Sequence, residues 1–518
     1  MRTAAVIGSV VVLVGCAPGT AAAQTQLEVV RATAEDGVLA PLPESRPVSA
    51  AELASRRQAL HQQMGNGVLI VFGARAPASD YMPFGQAADF RYLTGISEPA
   101  AVYVAVKQDR RIEERLYVQP RDPSREVWEG VRLGPEGAQQ QTGIPAYPHD
   151  RAYAAMDSLA RVHATIYSTT VPSVETALGT ELTHAQQVLA RLRPKGYTQL
   201  QAQIQQLRAT KSAAELDRIR RAVYISAIAQ REAMREVEPG MNEFEIRAVL
   251  EYTYLRYGAE GPAYAPIVGS GPNSTTLHYR AANRFMNAGE VLLIDAAASY
   301  GGYAADVTRT MPVNGRFSAE QRAIYGVVLA AQKAAESKLR KGATWQELND
   351  AANHEISGGL ARLGLIDGPD ATYDCASQSG ATRQCPQYRL YYMHGLGHGV
   401  GLAVHDPDVS TMPGGFRPGS AVTIEPGVYV RSDVFDYLPD TPANRAMMAR
   451  LRPPHERYRN IGVRIEDVYI FDERGVERAS AGVPRELEEI ETLMREPGMG
   501  AATRRREIVE WYRGNQGR

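Results

Sequence analysis

The chain has 518 residues, is 44% hydrophobic and 22% charged, and carries a net charge of −1. That length exceeds one hydrophobic core and implies at least two domains. The near-neutral balance removes the long-range field that draws proteins to nucleic acid or anionic membrane, so no nucleic-acid partner is expected.

The N-terminus reads as an export signal. Arg2 supplies the positive charge and Ala4–Val14 the apolar run. That run is shorter than the roughly 20 residues that span a bilayer. Two processing readings stay open. Leu13-Val14-Gly15-Cys16 fits a lipobox, which would leave a lipidated Cys16 as a membrane tether, and Ala21-Ala22-Ala23 before Gln24 fits ordinary cleavage. Either reading exports the mature chain from a bacterial cytoplasm to the periplasm. Residues 24–47 are polar and aperiodic, the composition of a tether.

Residues 48–206 alternate helical and strand-like runs. AELASRRQALHQQM (51–64) has helical spacing, whereas GVLIVFGA (67–74), AAVYVAVK (100–107), ERLYVQP (114–120) and TIYST (165–169) are strand-like. The alternation predicts a smaller α/β domain with a mixed sheet. A second domain is expected over 207–483. It opens on a long helix at 212–237, where Ser212 and Glu215 form a capping-box pattern and Pro239-Gly240 stops it. Further helices are expected at 242–258, 318–340 and 344–363, and strands at 264–270, 291–310, 386–393, 421–430 and 461–472. Helices followed by mostly antiparallel strands give an α+β class. Residues 431–458, rich in proline and charge, read as a surface insertion. The tail, 484–518, reads as helical at 484–494 and 504–513, with Arg504, Arg505 and Arg506 on a solvated face.

Beyond Cys16, the cysteines are Cys375 and Cys385, in CASQSGATRQC, which reads as a polar loop with no helix or strand period. An even remainder in an exported protein favours a disulfide. Zinc is poorly supported there, since no second Cys/His pair has suitable spacing.

Between Val291 and Asp467, apolar β-branched runs are interrupted by Asp295, Asp306, His398, Glu425 and Glu466. A buried unpaired carboxylate costs several kcal/mol, so strand interiors rarely carry one. One such residue can face outward; five suggest a shared partner, and hard divalent cations are the economical one. Asp295 and Asp306 flank Gly301-Gly302 in a hairpin whose midpoint, taken at Tyr300/Gly301, sets them opposite one another. The stretch HGLGHGVGLAVHD (394–406) adds His394 and His405 to His398, and His278 follows a Gly/Asn turn. A lone histidine in an apolar run is more often a core residue. Three among so many glycines suit close approach to a bound group. Carboxylates with one imidazole suit Mn²⁺, Co²⁺, Zn²⁺ or Fe²⁺. Two such ions about 3.5–4 Å apart can bridge one water, lower its pKa and polarise a carbonyl. Neither a G-x-S-x-G motif nor a P-loop occurs, so covalent acyl transfer and ATP chemistry lack support.

The pieces LIDAAASYGGYAADVTRTMPVNG, MHGLGHGVGLAVHD, TIEPGVYV and GVRIEDV resemble, in order and local sequence, the M24 metallopeptidase family of aminopeptidase P, prolidase and methionine aminopeptidase. FGQAADFRYLTGISEP, YVQPRD and EVWEGVRLG resemble the aminopeptidase P N-terminal domain. The resemblance implies a C-terminal pita-bread catalytic domain and two divalent metal ions, Mn²⁺ foremost. It makes Asp306 and Glu466 the bridging ligands, puts Asp295 on one metal, and puts His398 and Glu425 on the other. Glu425 would also shuttle a proton, His278 and His405 would bind the scissile carbonyl, and His394 would line the proline side. Arg464, placed on the strand face of Glu466, would pair with carboxylates or substrate. Tyr264 matches a family tyrosine near the metals, or is a core aromatic. The implied activity is release of the N-terminal residue from peptides with proline second, through a hydroxide bridging the metals. An Xaa-Pro dipeptidase on the same fold is the rival. A metal-free creatinase-like hydrolase or a catalytically dead peptide-binding module would lack ligands that this chain keeps. A homo-oligomer is expected by analogy. The cysteine-bearing stretch, residues 431–458 and the export signal depart from the family pattern.

Overall fold

The computed structural model describes residues 46–77, 84–170, 183–193, 196–376, 382–407 and 414–499. The export signal, most of the tether and the tail helix expected at 504–513 lie outside the described residues.

In the first domain α1 (Ala50–Gln62) is capped by Ser49, whose side chain accepts from the Glu52 N–H. The strands β1 (Gly67–Phe72), β2 (Val102–Gln108), β3 (Arg111–Val118), β4 (Ala146–Pro148), β5 (Ile166–Ser168) and β6 (Thr198–Gln199) form one sheet, in the order β4-β3-β2-β1-β5-β6. Pairing is antiparallel through β1–β2–β3 and parallel at β1–β5, β3–β4 and β5–β6. The connecting helices are α2 (Ala88–Thr94), α3 (Pro123–Glu129), α4 (Gly134–Thr142), α5 (Ala152–Val162), α6 (His184–Leu192) and α7 (Gln201–Arg208). Side chains alternate between faces along each strand. Leu69, Val71, Tyr103 and Leu116 pack with Leu60, Phe90 and Ile204, whereas Val68, Ile70, Val102 and Val104 pack with Met156 and Leu189. Helices on both faces explain why these strands read as continuous apolar runs.

The second domain opens with α8 (Ala213–Glu236), whose Ser212–Glu215 capping box is formed, and α9 (Glu243–Arg256), capped by Asn242. There follow β7 (Gly261–Pro262), β8 (Ile267–Ser270), β9 (Val291–Asp295), β10 (Ala298–Tyr300), β11 (Tyr303–Ala304) and β12 (Thr308–Pro312). Next come α10 (Ala319–Glu336), α11 (Trp345–Arg362), β13 (Thr372–Ala376), β14 (Thr382–Pro386), β15 (Ala421–Ile424) and β16 (Gly427–Tyr429). The domain closes with α12 (Pro442–Tyr458), β17 (Gly462–Arg464), β18 (Asp467–Asp472), β19 (Gly475–Arg478) and α13 (Leu487–Leu493). All pairings among these strands are antiparallel, as three-stranded sheets β12-β9-β8, β11-β10-β7 and β15-β18-β19 and two-stranded ribbons β13-β14 and β16-β17. The architecture is α+β, as expected.

Four sequence readings are corrected. The strand expected at 386–393 is a 3₁₀ turn, Gln387–Leu390, followed by irregular backbone. The surface insertion at 431–458 contains α12, which buries Met447, Leu451 and Tyr458. Thr441 caps α12 and Pro442 starts it, while Pro453 and Pro454 fall within its last turns. The cysteine-bearing stretch is a β-hairpin, β13–β14, tied by a Cys375–Cys385 disulfide. It is largely exposed, so it lacks the apolar alternation that marks a half-buried strand. Finally, the register pairs Asp295 with Thr308, not Asp306. The turn centres on Gly301 and Gly302, both at positive φ, one residue position later than the midpoint first taken. Asp306 is therefore a diagonal neighbour of Asp295, and the period of two keeps both on one face.

Candidate metal centre

Each predicted carboxylate ligand sits where a strand ends or breaks. Asp295 closes β9, Asp306 lies between β11 and β12, Glu425 between β15 and β16, and Glu466 between β17 and β18. Glu425 is followed by Pro426, which cannot donate to a ladder. Arg464 ends β17, so it does not share a strand with Glu466 as expected, yet both side chains reach the same cavity. His398 arrives on the glycine-rich segment, where a Cβ on Gly397 would stand 2.2 Å from the Thr423 carbonyl oxygen. Only glycine lets that segment lie against β15.

Asp306, His398 and Glu466 each offer a ligand atom, all within 4.8 Å of one another. His398 Nε2 lies 3.5 Å from Asp306 Oδ2 and 3.4 Å from Glu425 Oε1. Its Nδ1 lies 2.9 Å from the Gly399 carbonyl, so Nε2 is the ring atom that faces the carboxylates and the one able to bind a cation once it gives up its proton. Asp295 joins through Tyr264, whose hydroxyl lies 2.5 Å from Asp295 Oδ1 and contacts Asp306 Oδ1 as well. Tyr264 is thus part of the site rather than only a core aromatic.

Sequence reasoning missed two residues that hold the cluster. Arg464 donates to Asp295 Oδ2, to the Tyr429 hydroxyl at 2.9 Å and to Thr308 Oγ1 at 3.2 Å. Thr308 in turn donates to Glu466 Oε2 at 2.6 Å. The Tyr429 hydroxyl also lies 2.8 Å from His394 Nε2, while His394 Nδ1 faces the Gly395 carbonyl at 2.7 Å. Burial and then the Arg464 charge push His394 down to about 3, so its ring is neutral and Nε2 accepts from Tyr429. Thr308 follows Asp306 by two residues and so shares its face by the strand period, but residue type gives neither Thr308 nor Tyr429 away.

Burial is the largest influence on every carboxylate. It raises Asp295 against the pull of Arg464, raises Glu425 to about 7, and, with the like charge of Asp306, raises Glu466 well above the usual carboxylate range. Asp306 stays low because His398 offsets its burial, and His398, though buried, is lifted to about 9 by Asp306 and Glu425. Four carboxylates so close ionise together only with added positive charge among them. Glu466 Oε1 is buried with no hydrogen-bond partner among the described residues. Hard oxygen donors, one imidazole base and an orphaned carboxylate oxygen fit a divalent cation held by Asp306, His398 and Glu466, with Asp295 and Glu425 at its flanks.

The cluster forms one wall of a cavity of about 560 Å³. All ten residues singled out from the sequence line it, His278, His394 and His405 included, together with the apolar Ile267, Leu277 and Val404. The His405 ring centroid lies 4.0 Å from that of His398.

Comparison with known proteins agrees with this geometry. Residues 217–473 match metallopeptidase family M24, and residues 53–167 match the aminopeptidase P N-terminal domain. The Xaa-Pro aminopeptidase of Escherichia coli is 34% identical over 86% of this chain and 98% of its own length. Xaa-Pro aminopeptidase 3 of Mus musculus is 31% identical over 79% of this chain and 76% of its own. Among solved structures, E. coli aminopeptidase P with the inhibitor Pro-Leu superposes with a TM-score of 0.70 at 31% identity, covering 87% of this chain and 99% of that one. Pseudomonas aeruginosa aminopeptidase PepP does so with a TM-score of 0.69 at 33% identity, covering 87% and 98%.

Proposed function

The chain belongs to metallopeptidase family M24, and from that premise we propose that it is an Xaa-Pro aminopeptidase, which releases the N-terminal residue from peptides with proline second. The observation that carries this reading is the meeting of Asp306, His398 and Glu466 in one cavity with Glu425 and three further histidines. Bound divalent cations supply an activated water and a polarised carbonyl. The chain's own residues do the rest. Glu425 takes the proton of the attacking water on its carboxylate and delivers it to the leaving nitrogen. His278 and His405 face the scissile carbonyl and stabilise its oxyanion. His394, fixed by Tyr429, lines the side that takes the proline ring. Arg464 anchors Asp295, so the site keeps its geometry while charge develops.

An X-Pro bond lacks the amide N–H and has a fixed φ, and the apolar Ile267, Leu277 and Val404 in the cavity offer a surface for the ring. The relative that binds Pro-Leu as an inhibitor holds the dipeptide that cleavage before proline would leave, which favours an aminopeptidase over a dipeptidase. The assignment of Asp295, Asp306, His398, Glu425 and Glu466 to two ions, with Mn²⁺ as the working metal, is part of this proposal. So are a homo-oligomeric state and export to the periplasm. The Cys375–Cys385 disulfide supports an oxidising compartment. The mass of the mature N-terminus tells a lipidated Cys16 from cleavage before Gln24.

The deciding experiment measures metal-dependent cleavage of X-Pro, X-Pro-Y and X-Ala-Y peptides, with Asp306→Ala as control. Cleavage of X-Pro-Y alone supports the proposal, and a strong preference for X-Pro makes the enzyme a dipeptidase. Full activity in Asp306→Ala overturns the site assignment.

A further inference from the structure

Arg208 ends α7, at the junction of the two domains, and is 6% exposed. Its guanidinium makes two ion pairs to different parts of the molecule. Nη1 donates to Asp89 Oδ1, on α2 of the first domain, at 2.5 Å. Nη2 lies 2.9 Å from Asp406 Oδ2, in the second domain. Asp406 is 2% exposed and immediately follows His405.

Asp406 closes the segment that carries His405. Its Oδ2 accepts from the Leu402 N–H at 2.7 Å, and its own N–H donates to the Gly399 carbonyl at 2.7 Å. Its carbonyl accepts from Lys211 Nζ. The glycines of the segment make room for this closure. A Cβ on Gly401 would lie 2.5 Å from Asp406 Oδ2, and one on Gly399 would lie 2.6 Å from the Asp406 carbonyl oxygen. The cavity side of the same segment presents His405 against His398.

We infer that Arg208 is a positioning residue for the reaction: by clamping Asp406 to Asp89 it makes the first domain hold His405 in its catalytic placement. The inference rests on the peptidase reading for the role of His405, but not for the clamp. The geometry of a guanidinium suits it, since one planar group spans two carboxylates with separate nitrogens. A lysine keeps the charge but cannot make both contacts in the same arrangement. The clamp also gives the first domain a part in catalysis without any of its side chains entering the cavity.

The test compares wild type, Arg208→Lys, His405→Ala and the double variant on an X-Pro-Y peptide. Amide hydrogen exchange over 399–407 in the metal-free protein is measured in parallel. Arg208→Lys is expected to lower kcat roughly 10- to 100-fold with little change in KM, since a misplaced group loses transition-state contacts rather than substrate binding. In the His405→Ala background the same substitution is expected to add little, because its effect runs through His405. Exchange over 399–407 is expected to rise in Arg208→Lys by more than across the rest of the second domain, which registers any general loss of stability from the altered buried pair. Arg46→Ala, which removes the exposed Arg46–Asp217 ion pair and does not reach this segment, serves as the control expected to behave as wild type. Equal losses from Arg208→Lys in both backgrounds, or unchanged kcat and exchange, overturn the inference. If wild type fails to cleave the peptide, the functional reading fails, and the exchange measurement alone decides whether the clamp holds the segment.

Discussion

Thr308 donates its hydroxyl proton to Glu466 Oε2 at 2.6 Å, leaving Glu466 Oε1 as the oxygen without a partner. The bond fixes one oxygen of the carboxylate, and Oε1 keeps no hydrogen-bond partner among the described residues, in a residue that lies within ligand reach of Asp306 and His398. Thr308→Val keeps the shape and deletes the donor. We expect divalent-metal affinity to fall about tenfold, the lower end for lost outer contacts of a ligand. Competition against a chelator of known affinity reads this directly. Unchanged affinity would mean that the threonine does not orient Glu466.

Arg464 serves Asp295, Tyr429 and Thr308 from one guanidinium and is 3% exposed. Lysine supplies a point charge and cannot reach all three. Arg464→Lys is expected to destabilise the metal-free protein by about 3 kcal/mol, the scale for breaking a buried ion pair. Urea unfolding measures the loss, and a midpoint equal to wild type would contradict it. Activity on X-Pro-Y should fall along with the His394 contact, because Tyr429 loses its donor.

The β13–β14 hairpin is fastened to α12 through Asn444, which accepts from the Asp374 N–H at 3.0 Å and donates to the Asp374 carbonyl at 2.8 Å. The disulfide adds a short closed loop to this attachment. Replacing Cys375 and Cys385 by serine should cost roughly 2–3 kcal/mol, the chain-entropy scale for a loop of this size. Thermal melts of the oxidised wild type, the reduced wild type and the double variant test it. The two thiol-free or reduced forms should melt together and below the oxidised one.

The first domain carries a pH dependence of its own. Burial holds the His61 imidazole below its usual value, and its Nε2 lies 2.8 Å from the Tyr103 hydroxyl. That hydroxyl donates to Glu114, so His61 donates to it as a neutral ring. The unfolded ring takes up a proton near pH 6.5, whereas the folded ring resists it. Below about pH 6.5 the unfolded state binds the extra proton, so the contribution of His61 to stability is full above that pH and is lost as the pH falls. Unfolding free energy should decline with a slope of up to about 1.4 kcal/mol per pH unit from this group. His61→Gln should flatten that decline; an identical pH profile in the variant would remove His61 as its source.

Much of the site was legible because its chemistry is carried by residue type. Carboxylates inside β-branched runs, and histidines among glycines, violate local expectation, and Asp295, Asp306, His398, Glu425, Glu466, His278, His394 and His405 line one cavity, as do Arg464 and Tyr264, which only the family resemblance pointed to. Thr308 and Tyr429 were not legible, since threonine and tyrosine are ordinary strand residues whose function here lies entirely in their partners. The hairpin at 372–386 and the helix at 442–458 were misread for related reasons. An exposed ribbon lacks alternation, and a helix rich in proline and charge has the composition of a surface insertion.

From its sequence alone this protein already determined its domain order, its α+β class and the set of groups able to hold a cation, since propensity, periodicity and ligand chemistry are local properties. Only the tertiary structure decided how those groups meet. Strand register made Asp306 a diagonal rather than a direct neighbour of Asp295. Hydrogen bonds between distant segments chose which oxygen of Glu466 is left free. An ion pair across the domain junction tied Asp406, and with it the segment of His405, to α2. Each of these depends on contacts between residues far apart in the chain, where small shifts of register or angle change the partner while leaving every local pattern intact.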